Sequence, residues 1–166
     1  MRIYLDACTL IAFFSTHKEE KKKKKEINSA LDILEKIKDI KLCISHWTIA
    51  EFINVLLSRH KMKNEDVLKF ESTLLNKKRL RTMKLYILDI NGDNKDYDLQ
   101  EFIYDIRENI LKYHSGVGDI IHSVIMKNNN INHILTFDEK GFKKIAGLIV
   151  LYPKNIQNEI KKNEFY

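Results

Sequence analysis

Four acidic residues that lie far apart in the chain have the types and positions to hold a divalent metal ion: Asp6, Glu51, Asp119 and Asp138. Asp6 and Asp138 each close a short apolar run of the kind that forms a buried parallel strand. Their carboxylates are therefore expected at the carboxyl edge of a parallel sheet, where open α/β sheets bind ligands. Carboxylates gathered there would repel one another unless a cation offset their charge.

Glu51 and Asp119 each have an ordinary structural interpretation beside the functional one. Glu51 falls where a strand ends and a helix begins, and it is either a partly buried acid or an exposed helical one. Asp119 falls in the first turn of a helix, where Asp is also favoured by capping and by the helix dipole. Each acid alone is ambiguous, so the metal hypothesis depends on all four meeting.

Strands and helices must alternate along the chain to position these acids. Amphipathic stretches with apolar residues at helical spacing separate the apolar runs. This alternation predicts an α/β fold in which right-handed crossovers cover a parallel sheet on both faces. The turn at residues 91–98 leads into a helix that Asp98 is expected to cap. The five predicted strands are residues 2–6, 41–45, 85–90, 132–137 and 148–152.

Length and composition narrow the class of protein. With 166 residues the chain is expected to form a single domain, residues 1–166, with a core that needs no disulfides. No apolar run reaches the length of a membrane span, so we expect a soluble cytoplasmic protein. Cys8 and Cys43 lack the paired spacing of a zinc site and are expected to be core thiols. The six histidines are scattered, and most are expected to be structural or surface residues.

The charge favours a polyanionic partner. The net charge is +6, and part of the excess lies in an unbroken lysine run. An acidic pocket on a basic body suits nucleic-acid chemistry, whereas the run by itself could equally be a solvated helix face or a disordered loop. The run comprises Lys21, Lys22, Lys23, Lys24 and Lys25.

Four segments carry a resemblance to a known family. Each contains one of the four acids, and their order and approximate spacing resemble the acidic motifs of PIN-domain ribonucleases, notably VapC-like toxins. The segments are residues 3–11, 48–56, 118–123 and 135–142. The resemblance covers residue 2 to about residue 152 but is specific only around the acids.

This resemblance implies both a fold and a chemistry. The fold would be a three-layer α/β/α sandwich with about five strands in the order 3-2-1-4-5. Asp6, Glu51, Asp119 and Asp138 would bind one or two Mg²⁺ or Mn²⁺ ions, which prefer carboxylates and water. The metal would activate a water that cleaves an RNA phosphodiester and leaves a 5′-phosphate.

Two threonines would support the acids according to the same resemblance. Thr136 matches a family position whose hydroxyl orients a metal-bound carboxylate or water. Directly after the first acid the family commonly has Ser, Thr or Asn, whereas this chain has Ala7 and Cys8. A polar contact near Asp6 would then be missing or supplied by Thr9.

The partners and the cellular role follow less directly. PIN toxins commonly dimerise and bind an antitoxin helix, so an antitoxin and a homodimer are expected beside the RNA substrate. The main alternative is a PIN fold without catalysis that serves as an RNA-binding or scaffold protein.

A calcium loop at residues 89–100 is rejected because its sixth position is Asn94 and its twelfth is Gln100. A receiver-type domain is rejected because the order after the last strand is Pro153-Lys154 rather than Lys-Pro.

Overall fold

Six strands form one mostly parallel sheet in the order β3-β4-β2-β1-β5-β6. The computed structural model describes residues 1–162. All neighbouring strands are parallel except β3 and β4, which form an antiparallel hairpin at one edge. The strands are β1 (Arg2–Leu5), β2 (Lys41–Ser45), β3 (Arg79–Leu80), β4 (Met83–Leu88), β5 (His133–Leu135) and β6 (Ile149–Leu151).

Helices connect the strands and cover the sheet. Short 3-10 turns, Lys18–Glu20 and Pro153–Asn155, precede the second and the last helix. The helices are α1 (Ala7–Phe14), α2 (Lys21–Leu34), α3 (His46–Ser58), α4 (Asn64–Lys77), α5 (Leu99–Tyr113), α6 (Val117–Asn128), α7 (Glu139–Phe142) and α8 (Ile156–Lys162). Across residues 1–162, none of these helices is long and apolar enough to cross a membrane.

The strand residues divide between two hydrophobic cores, because successive side chains of a strand point to opposite faces of the sheet. Ile3 and Leu5 of β1 pack into a core with α1 to α4. Tyr4, which lies between them, packs into the second core with α5 and α6. The sheet is therefore buried on both sides, which gives the three layers expected from the sequence.

The predicted α/β class is confirmed, and the sheet differs from the prediction by one additional strand. The five predicted strands take the order 3-2-1-4-5 among themselves, and β3 extends the sheet beyond β4. The hairpin turn has no Gly or Asn that would have indicated it in the sequence. Arg81 takes the left-handed conformation there instead, with φ of 58°. Ion pairs from Arg81 to Asp32 at 2.6 Å and Glu35 at 3.3 Å hold this turn against α2.

The central position of β1 determines where the acids meet. It pairs with β2 on one side and with β5 on the other. The backbone N–H of Asp6 continues this pairing by donating to the Leu135 carbonyl at 3.2 Å. Asp6 is therefore held at the carboxyl edge between the ends of two neighbouring strands, where segments from distant parts of the chain come together.

The turn that leads to α5 packs directly against the end of α6. The Asn128 side chain donates to the Ile90 carbonyl at 2.8 Å, and Asn129 donates to the Asp89 carbonyl at 2.8 Å. Gly92 has φ of 56°, and a Cβ atom there would collide with the Asn128 carbonyl. Asp98 ends the turn and caps α5 by accepting from two backbone N–H groups, as its sequence position predicts.

We expect Gly92→Ala to destabilise the protein more than Gly147→Ala. Both glycines have positive φ, but a Cβ at Gly147 would meet nothing within 4 Å. Gly147→Ala should therefore lower the free energy of unfolding by about 1–2 kcal/mol, the cost of the left-handed backbone alone. Gly92→Ala adds a steric collision with α6. Urea denaturation measures both changes, and equal losses would contradict the close packing of this turn.

Candidate metal centre

Asp6 is held by two neutral donors. It is 7% exposed, and its Oδ2 accepts from the Thr136 hydroxyl at 2.6 Å and from the Cys8 thiol at 2.9 Å. The same Thr136 oxygen accepts from the backbone N–H of Asp138 at 2.8 Å. One hydroxyl thus connects the two strand-end acids, and an orienting role for Thr136 stays a prediction.

Cys8 makes the polar contact to the Asp6 carboxylate that the sequence predicted would be missing or supplied by Thr9. Its sulfur accepts from the Phe137 backbone N–H at 3.2 Å and donates to Asp6. Burial raises the pKa of the Cys8 thiol well above its usual range, and the Asp6 charge raises it further, so the group stays a protonated donor. Thr9 instead donates to the backbone carbonyl of Asp6 at 2.6 Å and stabilises the start of α1.

Glu51 projects from α3 towards His122, although the sequence predicts that most of the histidines are structural or surface residues. His122 Nε2 lies 2.7 Å from Glu51 Oε2 and 3.7 Å from Asp6 Oδ1. Asp6, Glu51 and His122 each offer a ligand atom, and these atoms lie within 4.8 Å of one another. The available signal was spacing, since His122 follows Asp119 by three residues and shares its face of α6.

Burial and neighbouring negative charges act together on Asp119. Burial raises the pKa of its carboxyl, and the negative charges of Asp138 and Asp6 raise it further. Within residues 1–162 no side-chain or backbone group donates a hydrogen bond to this carboxylate. Its oxygens are therefore available to a ligand, and a cation would relieve the repulsion.

Two glycines make room for the carboxylates. A Cβ atom at Gly118 would lie 2.7 Å from Glu51 Oε1, and one at Gly141 would collide with Asp119 Oδ2. The Gly141 backbone N–H donates to Asp138 Oδ1 at 3.2 Å, so Asp138 also caps α7. Close backbone approach at both positions thus depends on the absence of side chains.

A cavity of about 300 Å³ brings all four predicted acids together. Asp6, Glu51, Asp119 and Asp138 line it, so each has a place at one site. Carboxylate oxygens are the donors that Mg²⁺ and Mn²⁺ prefer, and the neighbouring carboxylates of Asp138 and Asp6 add to the burial that raises the Asp119 pKa. The donor set therefore fits a divalent cation.

The lysine run starts α2, and its members point to different surroundings. Lys23 lines the cavity and lies 3.5 Å from Glu20. Lys24 donates to the Ser15 carbonyl at 3.1 Å and so ties α2 to the end of α1. The other three lysines of the run are exposed. The run is helical, which excludes the disordered loop considered from the sequence.

The fold resembles several solved structures of low sequence identity. VapBC2 from Rickettsia felis, solved with a promoter DNA fragment, matches with a TM-score of 0.60 and 18% identity over 92% of this chain and 98% of that one. VapBC-1 from nontypeable Haemophilus influenzae matches with a TM-score of 0.59 and 17% identity, over 92% of this chain and 98% of that one. Mycobacterium tuberculosis VapC20 is described as a sarcin–ricin loop cleaving toxin. It matches with a TM-score of 0.56 and 12% identity, over 89% of this chain and 96% of that one.

The sequence itself identifies the family. A comparison with curated proteins finds no match. The family model of the PIN domain, however, matches residues 3–148 and thus includes the segments that carry all four acids. Together with the α/β sandwich and the convergent carboxylates, this match establishes that the chain belongs to the PIN domain family.

Proposed function

We propose that this protein is a metal-dependent endoribonuclease with one or two Mg²⁺ or Mn²⁺ ions bound by Asp6, Glu51, Asp119 and Asp138. The observation that carries the proposal is the convergence of these carboxylates, from four distant segments, on one cavity. The family match supports nuclease chemistry. The similar fold of a toxin described as cleaving the sarcin–ricin loop supports RNA as the substrate.

The four acids and their neighbours divide the work. A bound divalent cation supplies Lewis acidity and an acidified water for phosphodiester hydrolysis. Thr136 and Cys8 hold Asp6 in one orientation through hydrogen bonds of 2.6 and 2.9 Å. Asp119 offers oxygens that no described group occupies. The protein therefore presents a rigid acid and an open one to the same cavity.

Basic residues beside the acids favour a phosphate backbone over a neutral substrate. Lys23 and Arg59 both line the acidic cavity. With the chain's charge of +6, they would attract RNA and place a phosphate near the carboxylates. The remaining lysines of the run would extend this path along α2, and the cytoplasm, where RNA is present, is the proposed place of action.

An antitoxin and a second copy of the chain are the proposed protein partners. The solved VapBC proteins with this fold support the first. Large apolar side chains are exposed on α5, including Leu99, Ile103 and Leu111, and Leu68 is exposed on α4. Exposed apolar surface of this kind is typical of protein interfaces.

Asp6→Asn and Asp119→Asn should each abolish metal-dependent cleavage of end-labelled RNA while leaving the far-UV circular dichroism unchanged. An amide is a poorer metal ligand than a carboxylate and does not offset cationic charge. Cleavage by the wild type should require Mg²⁺ or Mn²⁺ and stop with EDTA. Asp93→Asn, an exposed loop change, is the matched control.

The outcomes separate the two functions considered. Cleavage by Asp119→Asn at the wild-type rate would refute the assignment of the site. RNA binding that needs no metal, with no cleavage by the wild type on any RNA tested, would favour the non-catalytic scaffold.

Asp119→Asn should raise the melting temperature of the metal-free protein at neutral pH. The folded state raises the Asp119 pKa, so it binds the proton more tightly than the unfolded chain does. That stabilising contribution is present below the ordinary pKa of 3.8 and is lost as the pH rises through the folded-state pKa. Near pH 7 the ionised Asp119 carboxylate therefore destabilises the folded state, and replacing it by the neutral amide should stabilise the fold.

Thermal denaturation checks this expectation with and without metal. Mn²⁺ should raise the melting temperature of the wild type more than that of Asp119→Asn, since binding to the folded state stabilises it. A variant that melts below the wild type without metal would contradict the electrostatic argument.

Replacement of Lys21, Lys22 and Lys25 by Gln should weaken RNA binding and change the rate at which bound RNA is cleaved only slightly. These three side chains are exposed, whereas Lys23 and Lys24 have contacts of their own. Each lost phosphate contact should reduce the salt slope by about 1. A triple Gln variant at the exposed Lys63, Lys77 and Lys84 is the control; equal effects would show that the run is only a solvated face.

A further inference from the structure

A buried polar network lies directly beneath Glu51, outside the set of four acids. The Tyr4 hydroxyl lies 2.6 Å from Ser45 Oγ, 2.7 Å from Thr48 Oγ1 and 2.8 Å from His122 Nδ1. All four side chains are at most 1% exposed. We call these residues the Tyr4 network. Burying so many polar groups is costly unless each is satisfied, which makes the arrangement specific.

The position of the ring proton of His122 can be assigned from the groups around its two nitrogens. His122 Nε2 faces two carboxylates, Glu51 Oε2 at 2.7 Å and Asp6 Oδ1 at 3.7 Å. Ionised carboxylate oxygens only accept hydrogen bonds. With Glu51 ionised, as a carboxylate ligand of a cation must be, His122 Nε2 carries a hydrogen and donates it to Glu51.

The remaining groups of the network are compatible with this assignment. In a neutral imidazole with Nε2–H, Nδ1 is an acceptor, and the Tyr4 hydroxyl can donate to it. Ser45 Oγ and Thr48 Oγ1 can then donate to the Tyr4 oxygen. They accept in turn from the Thr48 and Ser45 backbone N–H groups at 3.2 and 3.3 Å. Every hydroxyl in the network then has both a donor and an acceptor role.

These contacts hold Glu51 from one side while the backbone limits it on the other. Oε2 is bound by His122, and Oε1 lies against Gly118, where a Cβ would come within 2.7 Å. A free glutamate side chain would have to be ordered when a ligand binds, at a cost in conformational entropy. The fixed orientation removes that cost before any cation arrives.

We propose that His122 is a positioning residue: its Nε2–H orients Glu51 for cation binding, and Tyr4, with Ser45 and Thr48, holds the imidazole in that orientation. The identity of the cation rests on the proposed function, but the orientation of Glu51 does not. A buried histidine with a purely structural role would stabilise the fold without altering the affinity of the cavity for a metal ion.

A pair of variants distinguishes these roles, because Gln and Asn each reproduce one nitrogen of the imidazole. His122→Gln places an amide N–H near the Nε2 position and retains a donor to Glu51. His122→Asn reaches only the Nδ1 position and retains a partner for Tyr4. Tyr104→Phe, a hydroxyl deletion at an exposed tyrosine of α5, is the control for Tyr4→Phe.

Mn²⁺ titration of the purified full chain by calorimetry is the first readout. His122→Ala and His122→Asn should bind Mn²⁺ about 10-fold or more weakly than the wild type, as expected when a partner of a metal ligand is lost. His122→Gln should retain most of the affinity. Tyr4→Phe should lose part of it, and Tyr104→Phe none. Equal affinities for Asn and the wild type, or for Gln and Ala, would overturn the proposal.

The second readout needs neither metal nor RNA, so it remains decisive if the proposed function fails. Nitrogen-15 NMR of the metal-free protein should show His122 Nε2 protonated, with a slowly exchanging proton whose shift changes in Glu51→Gln. An unprotonated Nε2, or a signal that Glu51→Gln leaves unchanged, would overturn the positioning role. Absence of Mn²⁺ binding and of cleavage in the wild type would instead refute the nuclease proposal alone.

Discussion

Repulsion among carboxylates at one edge of the sheet is the constraint on which the rest of this structure depends. Burial raises the pKa of the Asp119 carboxyl, and the negative charges of Asp138 and Asp6 raise it further. Polar side chains hold the acids in place: a hydroxyl and a thiol on Asp6, and an imidazole on Glu51. The hydroxyl and the thiol are neutral donors, so they fix the geometry of Asp6 and leave its negative charge for a cation.

The fold makes this concentration of charge tolerable by distributing its supports over both layers of helices. The Asp6 carboxylate is held by Cys8 on α1 and by Thr136 just after β5. Glu51 on α3 is held by His122 on α6, across the sheet edge. Because β1 lies centrally, its strand end is the point that all these elements can reach. A similar set of acids on one helix or loop would lack such opposing supports.

Basic residues accompany the acids at the cavity. Lys23 and Arg59 lie on the lining beside the acids, and the chain carries a net charge of +6. A polyanion would be attracted by the body of the protein and would meet the acids only where a cation screens them. The neighbouring Lys24 has a structural contact with Ser15 instead, so adjacent members of one charge run serve different ends.

The sequence by itself determined the α/β class, the five parallel strands, their mutual order through the family resemblance, and the four acids. These follow from local signals: apolar runs, helical periodicity, and acids placed where strands end or helices begin. It did not reveal the β3 hairpin, because Arg81 takes a left-handed conformation without a Gly or Asn at that position. Only the tertiary structure showed that Cys8 rather than Thr9 contacts the Asp6 carboxylate, and that His122 reaches Glu51. The His122–Glu51 contact joins residues 71 positions apart and depends on how α3 and α6 pack, which no local pattern encodes. Cys8 is close to Asp6 in the chain, but its sulfur is also held by the Phe137 backbone N–H from the end of β5, which is distant in sequence.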